Sequence, residues 1–463
     1  MPCDFLRSET GTIYKTAPSG MLLACPSPYS MAMSSLGFSG IYQTVNAHPQ
    51  WFCERVTSDC RKNSMESGRN PREFGVIGFS VSYELEIPEI IRMLHDWSIP
   101  LRKSHRDSTY PLLIAGGALT TIVPGLLVEI FDIVFTGDAD TNFQIFLDSA
   151  CISDRQELLT ALGKHDGIYT CFSDYLSPWK FVYENVRGIT TAVHSDLAQF
   201  GNRVLTEVNR GCSRACSFCT IGRSGSSRRC SFLPLEQVKQ NIGDASATGL
   251  VGAAVSDHPE ILDILEFCRQ KNINVSLSSL RGDRLTPEML KLLADTGTKI
   301  LTTAADGASQ NIRNAIHKGI TAEHIISAAQ VAKELGIWKL KIYEIIGLAG
   351  ETEEDIREMA DFALTLSRII PVFMTISVFV PKPFTLLADD AFPDNGEIKH
   401  KIRTFQRLVK GKITLKTTSW NEAACEYLIG KLSEAALDII ERHALENTSV
   451  SALRRDLFSL LSD

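Results

Sequence analysis

An α/β chain in three parts is what the sequence predicts: a Rossmann-like domain with a connecting region over residues 1–195, a partial, TIM-like (β/α)6 barrel over 196–385, and a helical C-terminal region over 386–463. Three observations carry this. Over residues 20–140, short apolar runs ending in Gly or Ser alternate with helical segments, the pattern of a parallel sheet with helices on both faces. A second alternating series, of six runs, begins near residue 203. A chain of 463 residues is also longer than one hydrophobic core supports, so two or three domains are expected.

The first series comprises MLLAC (21–25), FGVIGFSVS (74–82), PLLIAGG (111–117) and FDIVFTG (131–137), with helix-like segments near 30–46, 87–98 and 124–130. Ligands of open α/β sheets bind outside the carboxyl ends of the strands, where these Gly and Ser residues stand. Residues 141–200 are less regular and read as a connection. The second series is VLTEVN (204–209), GLVGAAV (249–255), INVSLSSL (273–280), KILTTAA (299–305), LKIYEIIG (340–347) and VFMTISVFV (372–380). Thr286-Pro287 opens a helix that Gly297 stops. Thr321 opens the next and Gly336 closes it, and Thr352 with Asp355 forms a capping-box pair before IREMADFALTL. Six β/α units make a partial barrel, whose active residues belong at the C-terminal strand ends. The tail reads as helical and polar; its stretch 397–416 holds seven Lys or Arg and one Glu. That charge fits either a solvated helix face or a nucleic-acid surface, which salt-dependent binding would distinguish.

Composition excludes several classes. Hydrophobic residues at 44% and charged residues at 22% are those of an ordinary globular protein. A net charge of −7 argues against a general nucleic-acid coat. No run of 18 apolar residues predicts a membrane span, and the N-terminal MPCDFLRSETGTIYK carries no signal-peptide core, so a cytoplasmic location is the default expectation. Such a compartment keeps thiols reduced. Nine of the 12 cysteines are scattered (Cys3, Cys25, Cys53, Cys60, Cys151, Cys171, Cys230, Cys268 and Cys425), and most read as small buried hydrophobes.

The other three form C-x-x-x-C-x-x-C in EVNRGCSRACSFCTIGR (207–223), directly after the first strand of the second series. Cys212, Cys216 and Cys219 at this spacing suit three corners of a 4Fe-4S cubane whose fourth iron stays open. An open position marks a reactive metal site rather than a structural one. The alternative is a zinc site closed by Cys230, although the second C-x-x-C knuckle usual for zinc is missing.

This spacing after the first barrel strand resembles the signature of the radical S-adenosylmethionine (radical SAM) superfamily. The resemblance implies that the open iron chelates the amino and carboxylate groups of S-adenosylmethionine, that one electron breaks the sulfonium bond, and that a 5′-deoxyadenosyl radical abstracts hydrogen. It implies an external electron donor such as flavodoxin or ferredoxin. Phe218 matches the superfamily's aromatic position beside the adenine; otherwise it packs the loop. Seven further segments resemble one subgroup, which has an N-terminal cobalamin-binding-type domain: GMLLACPSPYSMAMSSLGFSGIYQTVN (20–46), PLLIAGGALTTIVP (111–124), GLVGAAVSDHPEI (249–261), VSLSSLRGDRLTPEML (275–290), NAIHKGIT (314–321), LKIYEIIGLAGETEED (340–355) and FVPKPFT (379–385). The likeness covers roughly residues 20–440.

Within that likeness, Val255-Ser256-Asp257 falls where the superfamily binds the methionyl amine. Ser279 and Arg281 end the third strand, and Arg281 is placed to pair with the methionyl carboxylate. Asp306 stands where the subgroup usually has Glu, toward the ribose hydroxyls. Lys341 and Glu344 lie on the fifth strand, and Ile346 to Glu351, with Gly347 and Gly350, resembles the adenine segment. Each position has a plainer reading as a barrel polar group or helix cap. Arg210, Arg214, Arg223, Arg228 and Arg229 crowd the cysteine loop, either to recognise phosphate or carboxylate or as ion pairs.

Gly116-Gly117 matches a Gly-Gly element of cobalamin domains, where close backbone approach would serve a flat macrocycle. The cobalamin signature D-x-H-x-x-G is missing, since His48, His95 and His105 do not fall in it, and the resembling subgroup commonly lacks that histidine too. The first domain either binds cobalamin without it or has lost the cofactor. The leading functional expectation is hydrogen abstraction followed by methyl transfer from methylcobalamin to an unactivated carbon. Two alternatives stand beside it. One is methylthio transfer to RNA or protein, which needs three further cluster cysteines that Cys3, Cys25, Cys53 and Cys60 do not supply at strand ends. The other is an iron–sulfur, redox-sensing nucleic-acid binder using residues 397–416.

Overall fold

The computed structural model describes residues 4–138, 140–149, 152, 154–173, 178–221, 230–277 and 280–461. The chain divides into two compact units. One comprises Met1–Glu184, Ile189–Asn202 and Leu428–Asp463, the other Asn185–Gly188 and Arg203–Tyr427.

In the first unit the strands β1 Ser19–Cys25, β2 Trp51–Thr57, β3 Val76–Ser80, β4 Leu112–Gly116, β5 Ile133–Phe135 and β6 Ile168–Tyr169 form one sheet in the order 2-1-3-4-5-6. All neighbours are parallel except β6 on β5. Its helices include α1 Leu36–Ala47, α2 Ile87–Asp96, α3 Pro124–Ile130, α4 Asp140–Asp148 and α5 Arg155–Leu162. Both faces are covered, as expected of apolar runs in a parallel sheet. Met21 and Leu23 share a core with Phe38 and Tyr42 of α1 and with Phe143 and Phe146 of α4. On the other face Phe79 packs against Trp97 and Phe131. The helices start where local chemistry directs: Ser35 accepts from the Phe38 N–H, Asp154 accepts from the Glu157 N–H, and α3 begins on Pro124.

Strand β2 is missing from the predicted runs because Glu54 and Arg55 interrupt WFCERVT. The structure buries the whole strand. Arg55 pairs with Glu9 at 2.7 Å and Glu66 at 2.6 Å and lies over the Tyr42 ring, so its charge is compensated by residues far away in sequence. Of the scattered cysteines, Cys25, Cys53, Cys268 and Cys425 are free and buried, as read from the sequence, and burial pushes Cys25 up to about 12. Cys60 departs from that reading, being disulfide-bonded, and Cys171 is exposed. Cys3 and Cys151 lie outside the described residues.

The second unit realises the six predicted barrel strands and adds a seventh. β7 Val204–Glu207, β8 Ala247–Val251 and β9 Asn274–Leu277 form a parallel sheet in the order 9-8-7. β10 Ile300–Ala304, β11 Lys339–Ile346, β12 Val372–Val378 and β13 Thr414–Thr417 form a second, in the order 10-11-12-13, also parallel. A side-chain bond from Thr303 Oγ1 to Leu280 O at 2.9 Å ties β10 to the segment after β9. Between the strands run α6 Leu235–Ile242, α7 Ile261–Gln270, α8 Pro287–Asp295, α9 Gln310–Ala315, α10 Ala322–Glu334, α11 Glu353–Ile369 and α12 Asn395–Val409. Leu340, Ile342 and Ile346 of β11 are buried with Ala328 and Ala329 of α10 and Met359 and Ala363 of α11. The predicted caps are present at Thr286, Thr321 and Thr352, and the predicted stops Gly297 and Gly336 have φ of +92° and +78°. This is the partial TIM-like barrel read from the sequence.

The tail is helical, with α13 Trp420–Leu432, α14 Leu437–Leu445 and α15 Val450–Ser459, but it is divided. Residues 386–427 belong to the second unit and 428–463 to the first. There α14 packs on α2, Arg92 donates to Ala444 O and Arg102 pairs with Asp438. Part of the basic stretch 397–416 is the strand β13, and its Lys401 is turned inward, 3.0 Å from Glu351 and 2.5 Å from Glu397. Among the described residues no helix is long and apolar enough to cross a membrane.

Candidate functional site

The cysteine loop is suspended between two anchors. Asn209 and Arg210 pair antiparallel with Phe232 and Ser231, closing the loop at its base. Buried Asn209 is the pin: its Oδ1 accepts from Ala254 N at 2.9 Å, and its Nδ2 donates to Gly211 O at 2.9 Å and to Cys230 Sγ at 3.5 Å. Gly252 must be glycine for this, because an added Cβ would lie 2.0 Å from Asn209 Oδ1. The second anchor is Ser217, whose N–H donates to Ile316 O at 3.0 Å and whose hydroxyl is hydrogen-bonded to His317 Nδ1 at 2.8 Å. Around the second anchor Cys219 N donates to Cys216 O at 3.1 Å.

Cys212, Cys216 and Cys219 are all free and half-buried. Burial pushes the Cys216 thiol up; Lys318 and Arg281 oppose that, and Cys219 and Asp306 reinforce it. The loop therefore stands at the C-terminal strand ends, among side chains of the segments after β9 and β10. Three soft sulfur donors on one short loop suit iron–sulfur ligation. Among the described residues no three His, Cys, Asp or Glu converge closely enough to hold a single ion. A cubane, whose thiolates sit on different irons, needs no such convergence. The donor set fits a 4Fe-4S cluster.

Around the loop the structure gathers most of the residues expected to hold S-adenosylmethionine, and it pairs several with one another. Asp257 accepts from Arg214 at 3.3 Å and from Arg284 at 2.9 Å. Arg281 donates to both oxygens of Asp283 and to Lys318 O, and its backbone N–H donates to Ser256 Oγ at 3.0 Å. Its Nη1 has no acceptor among the described residues, which leaves one donor for an anion. Asp306, at a left-handed φ of +60°, is ion-paired with Lys318. Phe218 packs in a small apolar cluster with Ile312, Ile316, Ile345, Leu348 and Phe379, so it meets the segment after β11. Gly347 has φ of +91°, and an added Cβ would strike Ile398 and Pro393 within 3 Å. Gly350 has φ of +78° and open space around it.

Glu344, by contrast, is buried on the helix-covered face of β11. Neither carboxylate oxygen has a hydrogen-bond partner among the described residues, and burial pushes its pKa well above the usual range. Of the loop arginines, Arg210 pairs with Glu207 at 2.7 Å and Arg214 with Asp257, so both enter ion pairs. Ser279, Arg223, Arg228 and Arg229 lie outside the described residues. Sequence reasoning missed Asn209, Ser217, Asp283 and Lys318, although Asn209 and Ser217 lie in the cysteine stretch 207–223, Asp283 in VSLSSLRGDRLTPEML and Lys318 in NAIHKGIT.

In the first unit the order 2-1-3-4-5 reverses direction between β1 and β3, and the crevice at such a switch point is where open α/β sheets bind ligands. Ser27 after β1 donates to Glu86 Oε1 at 2.8 Å, bridging the loops after β1 and β3. Gly117 has φ of +119°, and an added Cβ would lie 2.3 Å from Val81 O, so its own backbone neighbour already requires glycine. At Gly116 an added Cβ would meet nothing closer than 4.0 Å. His48 lies beside Asp148 and His95 is in the last turn of α2, away from this crevice. Neither of these two histidines is placed to ligate a group bound at this edge.

Residues 37–170 match the family model of radical SAM proteins, N-terminal, and residues 206–363 match that of the radical SAM superfamily. An uncharacterized protein of Methanocaldococcus jannaschii, MJ0966, is 24% identical over 83% of this chain and 84% of its own length. The ribosomal protein uS12 methylthiotransferase RimO of Alkaliphilus oremlandii is 24% identical over 46% of this chain and 54% of its own. An uncharacterized methyltransferase of Pyrococcus horikoshii, PH0819, is 24% identical over 61% of this chain and 63% of its own. The cobalamin-dependent S-adenosylmethionine radical enzyme OxsB, solved with cobalamin, superposes on 96% of this chain and 71% of its own with a TM-score of 0.49 at 14% identity.

Proposed function

Taking as premise that this chain belongs to the radical SAM superfamily, and so is an enzyme using a 4Fe-4S cluster and S-adenosylmethionine, we propose that it methylates an unactivated carbon with a methyl group carried by cobalamin on the N-terminal sheet. The observation that carries this reading is the pairing, in one chain, of a three-thiol loop at the barrel strand ends with an open sheet of 2-1-3-4-5 order. A 4Fe-4S cluster held by Cys212, Cys216 and Cys219 would supply the one-electron reduction of S-adenosylmethionine on which hydrogen abstraction from substrate depends.

The chain's own residues do the rest. Cys212, Cys216 and Cys219 hold the cluster. The free Nη1 of Arg281 offers a charge-assisted donor to the methionyl carboxylate. Phe218 and Leu348 give an apolar wall on which an adenine can lie. The Asp306 carboxylate, held by Lys318, is an acceptor for hydroxyls. In the first unit the backbone at Gly116 leaves room for a flat ligand.

The methyltransferase and methylthiotransferase relatives both transfer one-carbon groups, which supports the transfer step in general. Methylthio transfer is disfavoured by the fate of the N-terminal cysteines, since Cys25 and Cys53 are buried within strands and Cys60 is disulfide-bonded. The test is anaerobic reconstitution with S-adenosylmethionine, a low-potential reductant and methylcobalamin. Formation of 5′-deoxyadenosine together with S-adenosylhomocysteine, and corrinoid absorption that stays with the protein through gel filtration, are the expected results. No bound corrinoid would overturn the methyl-transfer reading, and no 5′-deoxyadenosine would overturn the radical one.

A further inference from the structure

We propose that the open face of the sheet β10 to β13 is a subsite for an anionic group of the substrate, a carboxylate or a phosphate, with Lys341 as its principal cation. This rests on the radical SAM reading and names the substrate's chemistry.

The two faces of this sheet differ. Along β11, Leu340, Ile342 and Ile346 are buried under the helices. The alternate residues Lys339, Lys341 and Tyr343 are only partly covered, and Tyr343 is 37% exposed. Parallel register extends that second face across its neighbours. Lys341 stands beside Thr302 and Phe373, and Tyr343 stands beside Ala304 and Thr375, with Lys416 next to Thr375. Lys339, Lys341 and Lys416 are therefore on one face. No Asp or Glu of the four strands shares it, because the one acid they contain, Glu344, alternates with Lys341 and Tyr343 and is buried in phase with Leu340, Ile342 and Ile346.

None of the three lysines has a carboxylate partner among the described residues. Other lysines of this unit do: Lys239, Lys318, Lys382 and Lys401 each form an ion pair. Lys341 is instead held over two rings, 4.8 Å from the Tyr343 centroid and 5.9 Å from that of Phe373. Lys339 lies over Trp338 and Phe373 at 5.0 and 5.7 Å. Ring faces hold an ammonium in place without neutralising it, and like charges gathered on one sheet face repel. A bound anion relieves that repulsion, and the Tyr343, Thr302 and Thr375 hydroxyls are hydrogen-bond donors toward it.

The position connects this face to the cysteine loop. Tyr343 O accepts from Asp306 N at 3.3 Å, and Ile345, the next residue of this face along β11, joins the apolar cluster that holds Phe218, the neighbour of Cys219. Lys341 lies one same-face step, about 7 Å, along the strand from Tyr343. An anion on Lys341 leaves the rest of its molecule directed along β11 toward the strand ends where the cysteines stand.

Calorimetric titration of the purified full-length protein with inorganic phosphate and, separately, with citrate tests this. Binding of one or both to the wild type is expected, and the tighter of the two assigns phosphate or carboxylate. Lys341→Met weakens that binding about tenfold or more, Lys341→Arg retains it within about threefold, and the helix-surface control Lys333→Met leaves it unchanged. Should Lys341→Met not fold, Lys416→Met carries the test with a loss of about threefold. Wild type that binds neither anion, or equal binding by the wild type and the open-face variant, overturns the subsite. Wild type that makes 5′-deoxyadenosine yet binds neither anion overturns the subsite alone. Lys341-dependent anion binding without 5′-deoxyadenosine overturns the radical reading alone.

Discussion

Cys212, Cys216 and Cys219 are not interchangeable with any other thiol of the chain, because one loop, closed at its base by the pairing of Asn209 and Arg210 with Phe232 and Ser231 and anchored at Ser217, presents them together. Replacing any one with alanine removes a ligand from an already minimal set. Each variant is expected to be isolated anoxically with little iron or acid-labile sulfide and to form no 5′-deoxyadenosine; full iron content in any of the three would contradict the ligand assignment. Glu344 is a second residue whose behaviour can be foretold. Burial holds its pKa well above the usual carboxylate value of 4.5, with Asp306 adding to the shift and Arg313 opposing it. For a group raised in the folded state, the stability it contributes is complete below the unfolded pKa and is lost as pH rises through the folded one. Glu344→Gln removes that loss. The variant should therefore gain on the wild type in urea midpoint between pH 5 and pH 8, and a constant difference across that range would show the carboxyl is not the isolated group the structure describes. The cysteine triplet was legible because ligand spacing is local. The isolation of Glu344 was not, since only strand register and helix cover decide which face a strand residue takes.

Helices and strands obey the same division. The caps at Thr286, Thr321 and Thr352 were readable because an N-cap and its acceptor lie within one turn. At Thr352 the hydroxyl accepts from Asp355 N, and the Asp355 carboxylate returns to both Thr352 N and Oγ1 at 2.7 Å. Thr352→Ala is expected to cost about 1 kcal/mol, read as a lower denaturant midpoint with unchanged slope; no shift would mean the cap is redundant. Strands β2 and β13 escaped the sequence because charged residues break their apolar pattern. Arg55 of β2 is neutralised by Glu9 and Glu66 from elsewhere in the chain. In β13, Lys416 lies on the open face while Leu415 packs on the core. Periodicity detects burial of apolar side chains, and it misses burial that depends on distant partners.

Across the whole molecule, the unexpected feature is the destination of the tail. Residues 428–463 complete the first unit although 386–427 belong to the second. Leu437, Ile440 and Ala444 of α14 are buried, so the helix contributes core to the N-terminal unit rather than a separate domain. Truncation after Tyr427 is expected to unfold that unit, since deleting even one buried Leu or Ile side chain costs about 2–5 kcal/mol. Differential scanning calorimetry of the truncated chain should lose one transition; a full-height N-terminal transition would show the tail is dispensable. The sequence by itself determined the ligand triplet, the two β/α series, the helix caps and membership of a cluster-bearing barrel class, because each is written in spacings of a few residues. Only the tertiary structure decided that Asp257, Arg281 and Asp306 are already ion-paired, that three lysines share an acid-free sheet face, and that the tail is split between two cores. Those outcomes depend on strand order and register, which bring together charges that lie tens to hundreds of residues apart and that no local pattern relates.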